Sequence, residues 1–235
     1  AWMRGSGDVQ DERYAAGAGR AGAALLKALG AFCLAGSVLA NCLPPPGADT
    51  EWVRLASVTD GDSLRLADGR RLRLMAVNAP ELAWEERSGQ PLGPEARNSL
   101  RQLLAPGDPL LLVYGAERQD HHGRSLAHAY TGKGEHLASY LVRRGLAFHI
   151  AIPPNLSLAD CLVELEARAR QQELGIWGHE RWQAKPARTL TSADAGFARI
   201  SGKVTRVDDQ GDLWLELDGP VVVRIQARDR ARFDR

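Results

Sequence analysis

The sequence predicts an α+β domain built on a β-barrel: a five-stranded Greek-key barrel of the OB type carrying three helices, with a short C-terminal β segment after it. Three observations predict it. Between residues 51 and 130, apolar side chains alternate with charged ones at period two, the pattern of half-buried strands. Three stretches switch to a 3.6-residue apolar stripe, one after the third strand and two after the fifth. That order of elements suits a small barrel decorated by helices.

The first strand is read over residues 52–58. Leu64, Leu66, Leu72 and Leu74 then share one alternating face, with Arg65, Arg71 and Arg73 between them. Asp68-Gly69 separates the halves and signals a tight hairpin turn. A first helix is expected over 94–104, with Pro94 in its first turn and Ala96, Leu100, Leu103 and Leu104 on its inner side. Residues 110–114 and 125–130 complete the five strands. A second helix is expected over 134–146, with Leu137, Tyr140 and Leu141 inward. A third is expected over 157–174, capped by Ser157 and buried along Leu158, Leu162, Leu165 and Ala169. Gly175 stops it, and Trp177 is expected to fold back onto the body.

The flanks differ in character. Residues 1–43 read as a disordered lead and then an apolar run, a secretory signal or an N-terminal membrane anchor. Val38-Leu39-Ala40 fits a small-residue cleavage site, and Leu39-Ala40-Asn41-Cys42 loosely matches a lipoprotein box, a less favoured alternative. Membrane association through residues 21–43 and export across a membrane are therefore expectations. Residues 44–50, with three successive prolines, read as a linker before the 51–182 domain. Residues 183–197 read as a second linker, and 198–235 as a partial small β-domain with three short strands.

Bulk charge gives no global basic footprint of a passive nucleic-acid binder. The 235-residue chain has a net charge of only +1, far from the basic surface that binding by counterion release requires. Of the three cysteines, Cys33 and Cys42 fall in or beside the apolar leader. Cys161 is read as a lone buried thiol on the third helix, with no disulfide framework and no zinc spacing.

The chemistry-bearing stretches are Thr59-Asp60-Gly61-Asp62-Ser63, Arg73-Leu74-Met75-Ala76-Val77-Asn78-Ala79-Pro80-Glu81 and Asp120-His121-His122-Gly123-Arg124. They combine carboxylates and an amide oxygen, the hard donors a cation such as Ca²⁺ takes, with guanidinium forks that match phosphate oxygens. Together with Gly-Pro-Glu-Ala at 93–96, Leu-Val-Arg-Arg-Gly-Leu-Ala at 141–147 and Leu-Gly-Ile-Trp-Gly at 174–178, these motifs stand in the order found in the staphylococcal nuclease, or thermonuclease-like, family, which the chain resembles over residues 52–178.

The resemblance implies a Ca²⁺-dependent nuclease that hydrolyses DNA and RNA to 3′-phosphate ends. It implies Asp62, Asn78 and the Ala79 carbonyl as metal ligands, Glu81 as the group that manages the attacking water, and Arg73 and Arg124 as phosphate-binding cations. Asn78 stands where the family usually has an aspartate, so weaker calcium binding or another divalent ion is expected. His122, where a tyrosine is usual, and Asp120 are candidate substrate contacts. The stretch Phe148-His149-Ile150-Ala151-Ile152-Pro153 lacks the tyrosines that face the nucleotide in the better-known member. The alternative is a nuclease fold with an impaired site, binding nucleic acid or protein without cutting.

Overall fold

The computed structural model describes residues 42–83, 85, 88–194 and 196–232. The signal or anchor expected within 1–43 lies outside the described residues up to position 41. No helix among the described residues is long and apolar enough to cross a membrane.

A closed five-stranded barrel forms the body. Its strands are β1 (Thr50–Val58), β2 (Ser63–Leu66) and β3 (Arg71–Leu74), then, after a two-residue strand β4 (Val77–Asn78) and helix α1 (Gly93–Leu103), β5 (Pro109–Gln119) and β6 (Ser125–Thr131). Around the barrel they run β1-β2-β3-β6-β5. All neighbours are antiparallel except β3 and β6, which pair in parallel with Leu72 opposite Ser125. The alternation read from the sequence fills the inside: Leu55, Leu64, Leu66, Leu72, Leu74, Leu110 and Leu112 are all buried. Burying seven such side chains, at roughly 1.5–3 kcal/mol each, is the main favourable term for this half of the molecule.

Helix α2 (Leu137–Val142) packs on β6, followed by the two-residue strand β7 (Phe148–His149), which pairs with β4, and by α3 (Ala159–Gln171). Two helix expectations need correcting. The second helix is six residues rather than thirteen, because Gly145 (φ +66°) turns the chain and sits against Leu174: a Cβ there would lie 2.0 Å from the Leu174 carbonyl oxygen. Ser157 does not cap α3. Leu158 takes the N-cap position without a side-chain bond, and the Ser157 hydroxyl lies 3.3 Å from His128 Nε2.

The cysteine expectation is also corrected. Cys42 and Cys161 form a disulfide across 119 residues of sequence. Cys161 is therefore no free thiol. Its partner was missed because Cys42 follows the apolar leader, and pairing over so long a separation leaves no mark in local spacing. The segment before β1 is anchored further: the Tyr130 hydroxyl donates to the Cys42 carbonyl at 2.8 Å, and the Cys42 N–H donates to Ser139 Oγ at 3.4 Å.

Beneath that anchor lies a buried polar chain. Ser157 Oγ, His128, His136 and Ser139 Oγ follow one another, with 3.1 Å between His128 Nδ1 and His136 Nε2 and 2.7 Å between His136 Nδ1 and Ser139 Oγ. Burial pushes the His128 imidazole down to about 4 and holds His136 well below its ordinary value, so both are neutral. An unfolded histidine takes up its proton near 6.5. From there down to about 4 the unfolded chain binds more protons than the folded one, so these groups make stability fall as pH falls. The denaturation midpoint should drop from pH 7 to pH 5, with both imidazoles still neutral by NMR at pH 5. Protonation of either near pH 6.5 would contradict this account.

Past α3, the chain packs an aromatic cluster. Phe148, Trp177 and Trp182 are buried together, and Trp177 folds back onto the body as expected. The stretch read as a linker, 183–197, carries strand β8 (Lys185–Pro186), which pairs in parallel with β9 (Ile200–Ser201), and Phe197 places its ring 4.9 Å from Phe148. Strands β10 (Val204–Asp208), β11 (Leu213–Leu217) and β12 (Val222–Ile225) then form a three-stranded antiparallel sheet.

Candidate active site

Arg73, near the end of β3, organises the site. Its Nη1 donates to the Leu74 and Val77 carbonyls at 3.0 and 2.8 Å, and its Nη2 reaches Asn78 Oδ1 at 3.1 Å and Asp62 Oδ2 at 3.0 Å. The strand period puts Arg73 between the inward Leu72 and Leu74 and so off the core face. Asp62 lies in the turn between β1 and β2 and is 5% exposed. Its Oδ2 also accepts the Ala79 N–H at 2.9 Å, and its Oδ1 accepts the Ser63 hydroxyl at 3.0 Å. Four of the expected residues are thus joined directly: Arg73, Asp62, Asn78 and Ala79.

The turn carrying Asp62 is pressed into place. A Cβ on Gly61 would lie 2.6 Å from the Ala79 Cβ and 2.8 Å from the Ala96 Cβ, so only glycine lets the turn, the 77–79 segment and α1 meet. Glu81 follows on an exposed loop gripped by its backbone: its N–H donates to Gln90 Oε1 at 2.9 Å, and its carbonyl accepts the Gln90 N–H at 2.8 Å.

Arg124 enters from the turn before β6. Asp120 Oδ2 takes its Nε at 2.7 Å, and Asp120 Oδ1 accepts the backbone N–H groups of His122 and Arg124, each at 2.9 Å. Burial raises the Asp120 carboxyl, but these bonds more than offset it and hold it below the usual range. Asp120 therefore orients Arg124 by a charge-assisted bond. The exposed His122 ring lies 3.8 Å from that of His121, and its carbonyl accepts from Arg71.

Electrostatics draws the rest together. The Glu81 carboxyl is raised by burial and by the nearby Asp62 and Asp60 carboxylates, and pulled back by Arg73 and Arg124. Asp60 is likewise raised by burial and by Asp62, against the Gly61 N–H, Arg73 and Arg97. Asp62 and Arg73 thus act on both the Asp60 and the Glu81 carboxyls, although these residues are spread over positions 60–81 of the sequence. Asp60, Arg97 and Gln90 were not among the expected residues. Asp60 lay in the motif beside Asp62 but was given no role, and a single arginine in an amphipathic helix reads as a solvated face.

Comparison with known proteins identifies a hydrolase of the nuclease class. The profile of the staphylococcal nuclease homologue family matches residues 71–179. A thermonuclease from Staphylococcus intermedius is 32% identical over 123 residues, spanning 51% of this chain and 72% of that protein. A thermonuclease from Staphylococcus hyicus is 27% identical over 135 residues, spanning 56% and 79%. The endonuclease YhcR of Bacillus subtilis is 28% identical over 145 residues, 57% of this chain and 12% of that much longer protein. The chain belongs to the staphylococcal nuclease family.

The aromatic question is decided by packing. Phe148 and His149, 3% and 8% exposed, are enclosed in the body and offer no ring for a base to stack on.

Proposed function

We propose that the protein is an exported, Ca²⁺-dependent nuclease that cleaves DNA and RNA by attack of water on phosphorus, leaving 3′-phosphate ends. The observation that supports this reading most is Arg73 bonded to both Asp62 and Asn78, with Asp62, Arg73 and Arg124 acting on the Glu81 carboxyl. The Glu81 carboxylate accepts the proton of the attacking water. The Arg73 and Arg124 guanidinium groups donate to the non-bridging phosphate oxygens, whose charge grows as the fifth bond to phosphorus forms. The P–O5′ bond then breaks, and the departing 5′ oxygen takes a proton from solvent water.

The donor set suits a hard cation, since Asp62, Asn78 and the Ala79 carbonyl offer oxygen alone. With a single carboxylate among these donors, affinity should be modest and water should complete the coordination. When bound there, a divalent ion supplies positive charge to the phosphate oxygens. Arg73 Nη2, between Asp62 and Asn78, offsets the Asp62 charge.

Export is supported by the apolar leader and by the Cys42–Cys161 disulfide, since such bonds persist in oxidising compartments. With its sulfur in that bond, Cys42 has no thiol for a lipid, which favours a cleaved signal over a lipoprotein anchor. The test is heat-denatured DNA incubated with Ca²⁺ or with chelator. Ca²⁺-stimulated cleavage with 3′-phosphate ends is expected; cleavage unaffected by chelator would remove the metal from the reading, and none under any ion would remove the reading itself.

A further inference from the structure

We propose that His149 is a positioning residue for the metal-binding segment: its ring holds the Ala76 carbonyl and so aims Asn78 and the Ala79 carbonyl; this rests on the nuclease reading above. Ala76 lies where the chain leaves β3 and turns into β4. It does so with φ +63°, a left-handed conformation that alanine adopts at a cost. The turn is part of the site. The Leu74 and Val77 carbonyls on either side of it accept from Arg73 Nη1, and Asn78 Oδ1 meets Arg73 Nη2. Its ends are pinned: the Met75 N–H donates to the Ala127 carbonyl at 3.0 Å, and the Ala79 N–H to Asp62 Oδ2 at 2.9 Å.

Between those pins, two donors hold the Ala76 carbonyl. His149 Nδ1 lies 2.9 Å from its oxygen, and the Ile150 N–H donates to it at 3.0 Å. A carbonyl oxygen only accepts, so Nδ1 carries the donated proton. Two donors use both lone pairs of that oxygen and fix the Ala76–Val77 peptide plane. The donors are themselves fixed. β7 pairs with β4, His149 opposite Val77, and the His149 N–H donates to Glu166 Oε1 at 2.9 Å, which ties β7 to α3. His149 is 8% exposed, and its second ring nitrogen, Nε2, is buried with no hydrogen-bond partner. The bond to Ala76 is therefore the ring's one hydrogen bond among the described residues. An aliphatic side chain would fill the space without leaving a ring nitrogen unpaired. What the imidazole adds over such a side chain is its hold on the strained turn, two residues before Asn78.

The experiment compares wild type with His149→Leu, His149→Asn and the double variant His149→Leu, Ala76→Gly. Asparagine offers an amide N–H in the place of Nδ1, and glycine adopts a positive φ without the alanine penalty. The first readout uses no metal and no DNA. Amide hydrogen exchange by NMR should show the Ala79 N–H of His149→Leu accelerated about threefold to tenfold more than the barrel amides. The second is the Ca²⁺ concentration for half-maximal cleavage of heat-denatured DNA. It should rise by about the same threefold to tenfold in His149→Leu, with kcat at saturating Ca²⁺ within about twofold of wild type. His149→Asn and the double variant should each recover most of both losses. Exchange that accelerates evenly over the barrel, with an unchanged Ca²⁺ requirement, would make His149 a packing residue and overturn the proposal. So would a His149→Leu protein indistinguishable from wild type, or losses that neither rescue variant recovers. Wild-type protein that cleaves nothing with any ion overturns the nuclease reading, while the exchange readout still upholds or overturns the hold of His149 on the segment.

Discussion

Glu81→Gln is expected to lower kcat on denatured DNA by about a hundredfold to ten-thousandfold, with folding and DNA affinity near wild type. The substitution keeps the shape of the side chain and removes the proton acceptor. The loop does not depend on that carboxylate for its position, because Gln90 grips the Glu81 backbone on both sides and Gly93 packs against its carbonyl. Loss of activity with an unchanged melting curve would therefore report chemistry and not collapse of the loop. Cleavage at the wild-type rate would exclude Glu81 from water activation.

Opening the Cys42–Cys161 disulfide, by reductant or by the Cys42→Ser, Cys161→Ser double variant, is expected to cost about 2–5 kcal/mol of folding stability. The bond closes a loop of 119 residues containing the whole barrel, so its loss frees a large share of the unfolded chain. The hydrogen bonds of Cys42 to Tyr130 and Ser139 would then have to hold the segment alone. Chemical denaturation with and without reductant measures the difference, and an unchanged midpoint would mean that the bond does not contribute to stability. A nuclease that reaches full stability only after oxidation is one whose activity is weakest in a reducing compartment, in keeping with the export proposed here.

Much of the barrel was legible in the sequence because its signals are local. The Leu64, Leu66, Leu72 and Leu74 alternation and the Asp68-Gly69 turn define a hairpin whatever surrounds them, and β2 and β3 pair there. The 94–104 stripe reads as a helix for the same reason, and α1 forms there. The second helix was overestimated because its C-terminal limit is set by the contact of Gly145 with Leu174, far along the chain. Ser157 had the residue type of a cap, but a buried histidine claimed its hydroxyl.

The site divides in the same way. Arg73, Asp62, Asn78 and Ala79 came from motif order, and the structure joins them by direct bonds. Asp120 is found holding Arg124, a pairing four residues apart. Asp60 and Arg97 carried no distinguishing pattern, since their significance is proximity to groups on other elements.

The residue types on each strand and helix face, the turns and the family motifs were determined by the sequence alone, since each depends on neighbours a few positions away. The disulfide, the neutral histidine pair and the burial of Phe148 were decided only by the tertiary structure. Each depends on which distant segments come within a few ångströms and on how much water they exclude, and neither quantity is written in local spacing.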